Sequence, residues 1–208
     1  MGVRRLYRRG TLPILAMLFL MGSCGRQKKS NSEIAITFTQ DTLKVGYTYW
    51  WPESGPFVGS CGEELSLVFI GTVMEIKDPT DAAGPLYTAQ EGIISLDKVL
   101  KIKKLNANTY RNQKFLLTDC FHDLALSVGD QVLVFCYDYE GEYSIPGNKS
   151  ILKINGADDP LVKSIRTYID AGQDPLKLTD DRGLWATVGL GRKLESIIKC
   201  RTELDALP

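Results

Sequence analysis

Histidine is almost missing from this chain: His122 is the single one in 208 residues. No CxxC pair and no H-E-x-x-H occur either, so the usual ligand sets of structural or catalytic zinc are not assembled. G-x-S-x-G and the phosphate-binding P-loop are also lacking. Gly189-Leu190-Gly191 is half of a dinucleotide fingerprint with no suitable strand ahead of it. The acidic pairs Asp158-Asp159 and Asp180-Asp181, with Asp78 and Asp81, lack the alternating oxygen ligands and the glycine of a calcium loop. Asp159 reads instead as a helix cap, and Asp180-Asp181 as a solvated turn. No cofactor and no metal are expected. An excess of positive charge is missing too, since 25 Lys+Arg face 25 Asp+Glu. Nucleic acid is therefore not an expected partner.

What is present begins at the N-terminus. Arg4, Arg5, Arg8 and Arg9 precede the apolar run Leu12–Met21, and the small residues Gly22 and Ser23 follow. Basic, apolar, small is the order of a secretory signal peptide. The run is about half of the ~20 residues that a membrane-crossing helix needs. Met21-Gly22-Ser23-Cys24 resembles a lipobox, where the signal peptidase for bacterial lipoproteins cuts and the cysteine is acylated; Met21 stands where Leu is usual. The resemblance implies a signal peptide over 1–23, lipidation of Cys24 and anchorage in the cell envelope, facing the periplasm or the outside. Without the leader, 21 basic residues face 25 acidic ones, a net charge of −4. The remaining chain has the 44% hydrophobic and 24% charged balance of a globular domain. It also carries Cys61, Cys120, Cys136 and Cys200, whose spacing leaves three full disulfide pairings open.

Residues 24–32 are polar and read as a tether. Ile34, Ile36 and Phe38 alternate with smaller or polar residues and predict a strand. Val45 to Trp51 predicts a short strand and an irregular loop toward Cys61-Gly62. Leu65 to Ile76 is apolar on both faces, as a doubly covered strand should be, and Gly71 would allow it to bend. Further strands are predicted over Gly92 to Ile102, Lys114 to Cys120, Gln131 to Tyr139 and Ile151 to Ile154. Asp159-Pro160 then opens a helix with Leu161, Ile165, Tyr168 and Ile169 on one face and Gly172 at its end. Leu190 to Ala206 predicts a second helix, with Leu190, Leu194, Ile197, Ile198 and Leu204 as its stripe. Strands followed by helices argue an α+β fold: a β domain over 33–157 with a helical extension of the same domain over 158–208.

Cys61, Phe69-Ile70-Gly71-Thr72-Val73, the strand around Ile94 to Leu100, Cys120, and Gly129-Asp130-Gln131-Val132-Leu133-Val134-Phe135 occur in that order. Together, over about residues 61–170, they resemble the netrin-like domain shared by tissue inhibitors of metalloproteinases and many bacterial exported proteins. The resemblance implies a small antiparallel five-stranded OB-like β-barrel with C-terminal helices packed against it, and a Cys61–Cys120 disulfide. The chain departs from the family in having Gly59 where a Cys-x-Cys pair would begin. It also lacks a late cysteine, and Cys136 and Cys200 have no counterpart.

Two constellations remain. Cys120 and His122 are two residues apart, so on a strand they would share a face; in an oxidising compartment a disulfide role for Cys120 is the simpler reading. Tyr47, Tyr49, Trp50, Trp51 and Phe57 form an aromatic cluster that either stacks a glycan or envelope protein, with Trp50, Trp51 and Tyr49 as the stacking rings, or is buried in the barrel end. Burial is the preferred expectation. The resulting function is a non-catalytic, membrane-anchored binding or structural module. The alternatives are an exported hydrolase with dispersed carboxylates and, by family analogy, a protease inhibitor.

Overall fold

The computed structural model describes residues 34–49, 53–106 and 109–207. The strands are β1 (Thr39–Lys44), β2 (Gly46–Tyr47), β3 (Leu65–Ile76), β4 (Gly92–Ile102), β5 (Gln113–Thr118), β6 (Gln131–Tyr139), β7 (Glu142–Ile145) and β8 (Ile151–Lys153). The helices α1 (Pro160–Asp170), α2 (Arg182–Thr187) and α3 (Gly191–Asp205) follow. Among the described residues no helix is long and apolar enough to cross a membrane. Strands and helices belong to one unit, Glu33–Pro208.

The sheet runs β1-β5-β4-β3-β6-β7-β2, with β8 also on β6. β1 pairs with β5 and β2 with β7 in parallel; the other pairs are antiparallel. Only Val45 separates β1 from β2, so one continuous segment hydrogen-bonds to both ends of the series. The Val45 amide donates to the Leu117 carbonyl at 3.0 Å and that of Thr48 to Ile145 at 3.1 Å. The sheet therefore curls into a half-barrel. The α+β class and the helices on the sheet are as expected, but the sheet is mixed and eight-stranded rather than antiparallel and five-stranded. The parallel pairs arise because the N-terminal segment runs alongside β5 and β7 in their own direction. The period-two residues Ile34 to Phe38 lie outside the strand, which begins at Thr39.

Alternation along β3 and β6 builds two cores. Leu67, Phe69, Val73, Val132, Val134 and Cys136 fill the inside of the curl, with Ile94, Leu96 and Leu116 from its other strands. Val68, Ile70, Leu133, Phe135 and Tyr137 face outward and are covered by Val162, Ile165, Tyr168, Trp185, Leu194 and Ile197 of the helices. The reading of Leu65 to Ile76 as covered on both faces therefore holds for 65–73, whereas Met74 and Glu75 are exposed. The pairing of β3 with β4 shifts register between Ile70 and Gly71, where a Cβ would stand 2.4 Å from the Ser95 carbonyl oxygen. Only glycine lets the two backbones approach that closely.

The Asp159 carboxylate accepts the Leu161 amide at 2.9 Å and caps α1, with Pro160 at its first position. A 3-10 segment, Pro175–Asp181, then leads into α2. α3 buries Leu194 and Ile197, but Leu204 is 49% exposed, so the expected stripe stops short of the helix end. The Cys61 sulfur is bonded to Cys200 of α3, with Cα atoms 5.1 Å apart. This corrects the expected Cys61–Cys120 pair. Cys120 lies in the inner core, whereas Cys61 precedes β3 on the helix side, so the sheet itself separates them. Cys120 and Cys136 are both buried free thiols.

Candidate functional site

β2 ends in Tyr47 beside β7, and three rings gather there. Tyr87, from the loop between β3 and β4, meets Tyr47 edge-on at 5.3 Å and stacks on Tyr49 at 4.3 Å and 29°. Tyr47 and Tyr49 are themselves edge-on at 6.2 Å. Both arrangements suit the quadrupoles of aromatic rings. Tyr87 is held by its hydroxyl, which donates to the Asp119 carboxylate at 2.6 Å. The backbone repeats the tie: the Gln90 amide donates to the Asp119 carbonyl and the Phe121 amide to the Gln90 carbonyl, each at 3.0 Å. Phe121 packs so closely over Gly92 that a Cβ there would lie 2.5 Å from its ring.

Beneath the rings lies a cleft of about 240 Å³ lined by Tyr47, Tyr87, Thr88, Cys120, His122, Asp123 and Asn148. His122 Nε2 is 3.5 Å from Asp123 Oδ1, and the His122 side chain is 41% exposed. The structure thus brings together Cys120, His122 and two of the predicted tyrosines. Trp50, Trp51 and Cys24 lie outside the described residues. Phe57 is elsewhere, fully buried against Trp185 at 4.8 Å and Tyr168 at 5.9 Å in the helix-facing core. Tyr47 and Tyr49 are half-buried, between the two expectations for the aromatic cluster. Tyr87 and Asp119 are the members that sequence reasoning missed. Tyr87 comes from a loop without a motif-like context, and Asp119 from the end of the predicted Lys114 to Cys120 strand, one residue beyond the Thr118 at which β5 stops.

Burial governs the titratable groups of the cleft. Burial, the largest influence, pushes the Cys120 thiol up to about 12, opposite to the activation a nucleophile needs. The Thr118 hydroxyl donates to its sulfur at 3.6 Å. Burial, with Cys120 and Asp119 nearby, also holds the Tyr47 phenol above its ordinary value. Burial and the bond to Asp119 do the same for Tyr87. Both phenols are protonated donors at neutral pH. Of the acidic pairs weighed as metal ligands, Asp159 is the α1 cap and Asp181 accepts from the Ser164 hydroxyl at 2.6 Å. Among the described residues no three His, Cys, Asp or Glu side chains converge as a metal would require.

Native protein should therefore leave Cys120 and Cys136 unmodified by a small thiol reagent at pH 8, and denatured protein should yield both. Rapid labelling of the native fold would contradict the burial. Both thiols are raised by burial, so they stay protonated when folded while the unfolded chain ionises from about pH 8.5. Their contribution to stability is complete below that pH and fades as pH rises toward 12.

No protein-family model matches the chain, and a comparison with curated proteins finds no match.

Proposed function

We propose that this protein is a non-catalytic lipoprotein of the bacterial cell envelope, and that its tyrosine-lined cleft binds one sugar unit of an envelope glycan. The observation that carries the reading is the combination of aromatic and polar groups in that cleft. Tyr47 and Tyr87 offer ring surface, and Thr88, His122, Asp123 and Asn148 offer donors and acceptors around it. A sugar ring has the matching pair of surfaces, C–H groups on its faces and hydroxyls at its rim. The volume of about 240 Å³ is below the range of roughly 300–1,000 Å³ for drug-sized ligands, which points to a single ring. Kinship with netrin-like domains belongs to the same proposal. Its support is the placement of β3, β4 and β6 where the resemblance puts core strands; the Cys61–Cys200 pairing departs from the family pattern.

Titration with N-acetylglucosamine and related monosaccharides, followed by NMR, tests the binding reading. Saturable shifts should centre on Tyr47, Tyr87 and His122. Tyr47→Ala should weaken binding by about fivefold or more, the equivalent of ~1 kcal/mol of ring contact. Absence of saturable shifts with every sugar would end the reading. The anchor is tested separately in cells: Cys24→Ala should release the protein from membranes and abolish labelling by a fatty-acid analogue. An unlabelled wild type that is as membrane-associated as the variant would overturn lipidation.

A further inference from the structure

Charge is unevenly distributed along the chain. Residues 98–114 carry Lys98, Lys101, Lys103, Lys104, Arg111 and Lys114 and no carboxylate, whereas residues 119–142 carry six carboxylates and no lysine or arginine. The fold gathers the first group on one end of the curled sheet. β4 and β5 are antiparallel with Ser95 opposite Phe115, so Arg111 and Lys114 lie alongside the Lys98–Lys104 half of β4 and its following loop. The Lys114 ammonium donates to the Leu96 carbonyl at 2.6 Å, which fixes it there.

Carboxylates meet several of these cations. Glu64 takes Lys101 at 3.1 Å and Lys103 at 3.0 Å, Asp97 takes Lys114 at 3.3 Å, and Asp138 lies 3.8 Å from Lys103. These pairs engage Lys101, Lys103 and Lys114, in a mature chain whose net charge is −4. Lys104 and Arg111 are exposed.

The N-terminal segment starts at the same end. Ile34, Ile36 and Phe38 share a cleft with Asp97, Lys98 and Val99. The Lys114 ammonium sits 4.8 Å over the Phe38 ring, and the Thr39 amide donates to the Asn112 carbonyl at 2.8 Å. Nine residues, 25–33, separate Ile34 from Cys24. Even fully extended they reach no more than about 35 Å.

We infer that this cationic end is a docking surface for an anionic phospholipid bilayer, the one in which the lipid on Cys24 would be inserted. The inference rests on the lipid-anchored reading for the presence of that bilayer. Basic clusters close to a membrane anchor gain from the negative surface potential, and the gain fades within a Debye length of about 8 Å. A connection of at most about 35 Å confines the cluster to the neighbourhood of the bilayer, and docking brings it within that range. The consequence is an orientation. Gly92, packed under Phe121 beside the tyrosine cleft, and Ile102, beside Lys101 and Lys103, are the two ends of β4. Eleven strand residues span at most about 35 Å, less where the strand curls. Docking by the basic end thus turns the cleft away from the bilayer, toward a soluble or polymeric ligand.

The test uses residues 24–208 with Cys24→Ser, which keep the whole unit Glu33–Pro208. Co-sedimentation with vesicles of phosphatidylcholine alone is compared with phosphatidylcholine–phosphatidylglycerol vesicles. Partitioning should be at least about tenfold stronger on the anionic vesicles and should vanish at high salt. Lys104→Glu with Arg111→Glu should remove the preference at unchanged melting temperature. If that pair misfolds, Lys104→Gln with Arg111→Gln should still weaken it. Lys199→Glu with Arg201→Glu, on α3, should leave it intact. Equal binding to both vesicles, or a preference that survives both the charge-reversed and the neutralised Lys104/Arg111 pairs, overturns the inference. Because the tested chain carries no lipid, a failure of acylation at Cys24 would show only in cells and a failure of docking only here.

Discussion

Replacing Cys200 with serine is expected to lower the unfolding free energy by about 3–5 kcal/mol, a large part of the 5–15 kcal/mol available to a typical domain. The Cys61–Cys200 bond closes a loop with a sequence separation of 139. Chain entropy assigns a loop of that length about 5 kcal/mol through restriction of the unfolded state, and typical measured values are smaller. For a domain of this size the change corresponds to roughly 10–15 °C in Tm. The bond also holds the exposed end of α3 to the segment that leads into β3, the central strand. Urea denaturation is the measurement. Cys61→Ser should lose as much as Cys200→Ser, and the double variant no more than either, because one bond is lost in all three. Equal midpoints for wild type and Cys200→Ser would mean that the two sulfurs are not joined.

Trp185→Ala should be comparably severe, at about 3–5 kcal/mol. Trp185 is fully buried between the sheet and the helices, edge-on to Phe57. Its indole N–H donates to the Ser164 hydroxyl at 2.9 Å, and that hydroxyl donates to Asp181 at 2.6 Å. The ring therefore links α2 to α1 and to the 3-10 segment ahead of α2, while filling the outer core. Ser164→Ala should cost about 1–3 kcal/mol, since it leaves the buried indole N–H without an acceptor. Trp185→Phe should fall between wild type and Trp185→Ala, because it keeps most of the volume. Denaturant midpoints at constant m-value check all three. A Trp185→Ala protein within 1 kcal/mol of wild type would show that the helical layer does not seal the outer face of the sheet.

β3, β4, β6 and α1 were readable from the residues because their signals are local. Leu65–Ile76, Gly92–Ile102 and Gln131–Tyr139 are long apolar runs rich in branched side chains, and the strands have the predicted ends. Asp159, Pro160 and the 161/165/168/169 face mark α1 in the same way. β2 and β8 fall within the predicted short strands at 45–51 and 151–154, but the four-residue β7 is too short to show a period and the six-residue α2 too short to show a stripe. The partner of β2 lies far along the chain, since Tyr47 pairs with Ile145 of β7. Tyr47 and Tyr49 were visible as aromatics near the N-terminus, but Phe57, eight residues beyond Tyr49, went to the opposite face of the sheet. Tyr87 and Asp119 joined the cleft through a contact across 32 positions.

The α+β class, the central strands and the capped first helix were thus determined by the sequence itself, because side-chain period and capping chemistry act within a few residues. The mixed pairing, the membership of the cleft and the Cys61–Cys200 bond were decided only by the tertiary structure. Each depends on which face of a curled sheet a residue occupies, and that is settled when segments more than thirty residues apart come together.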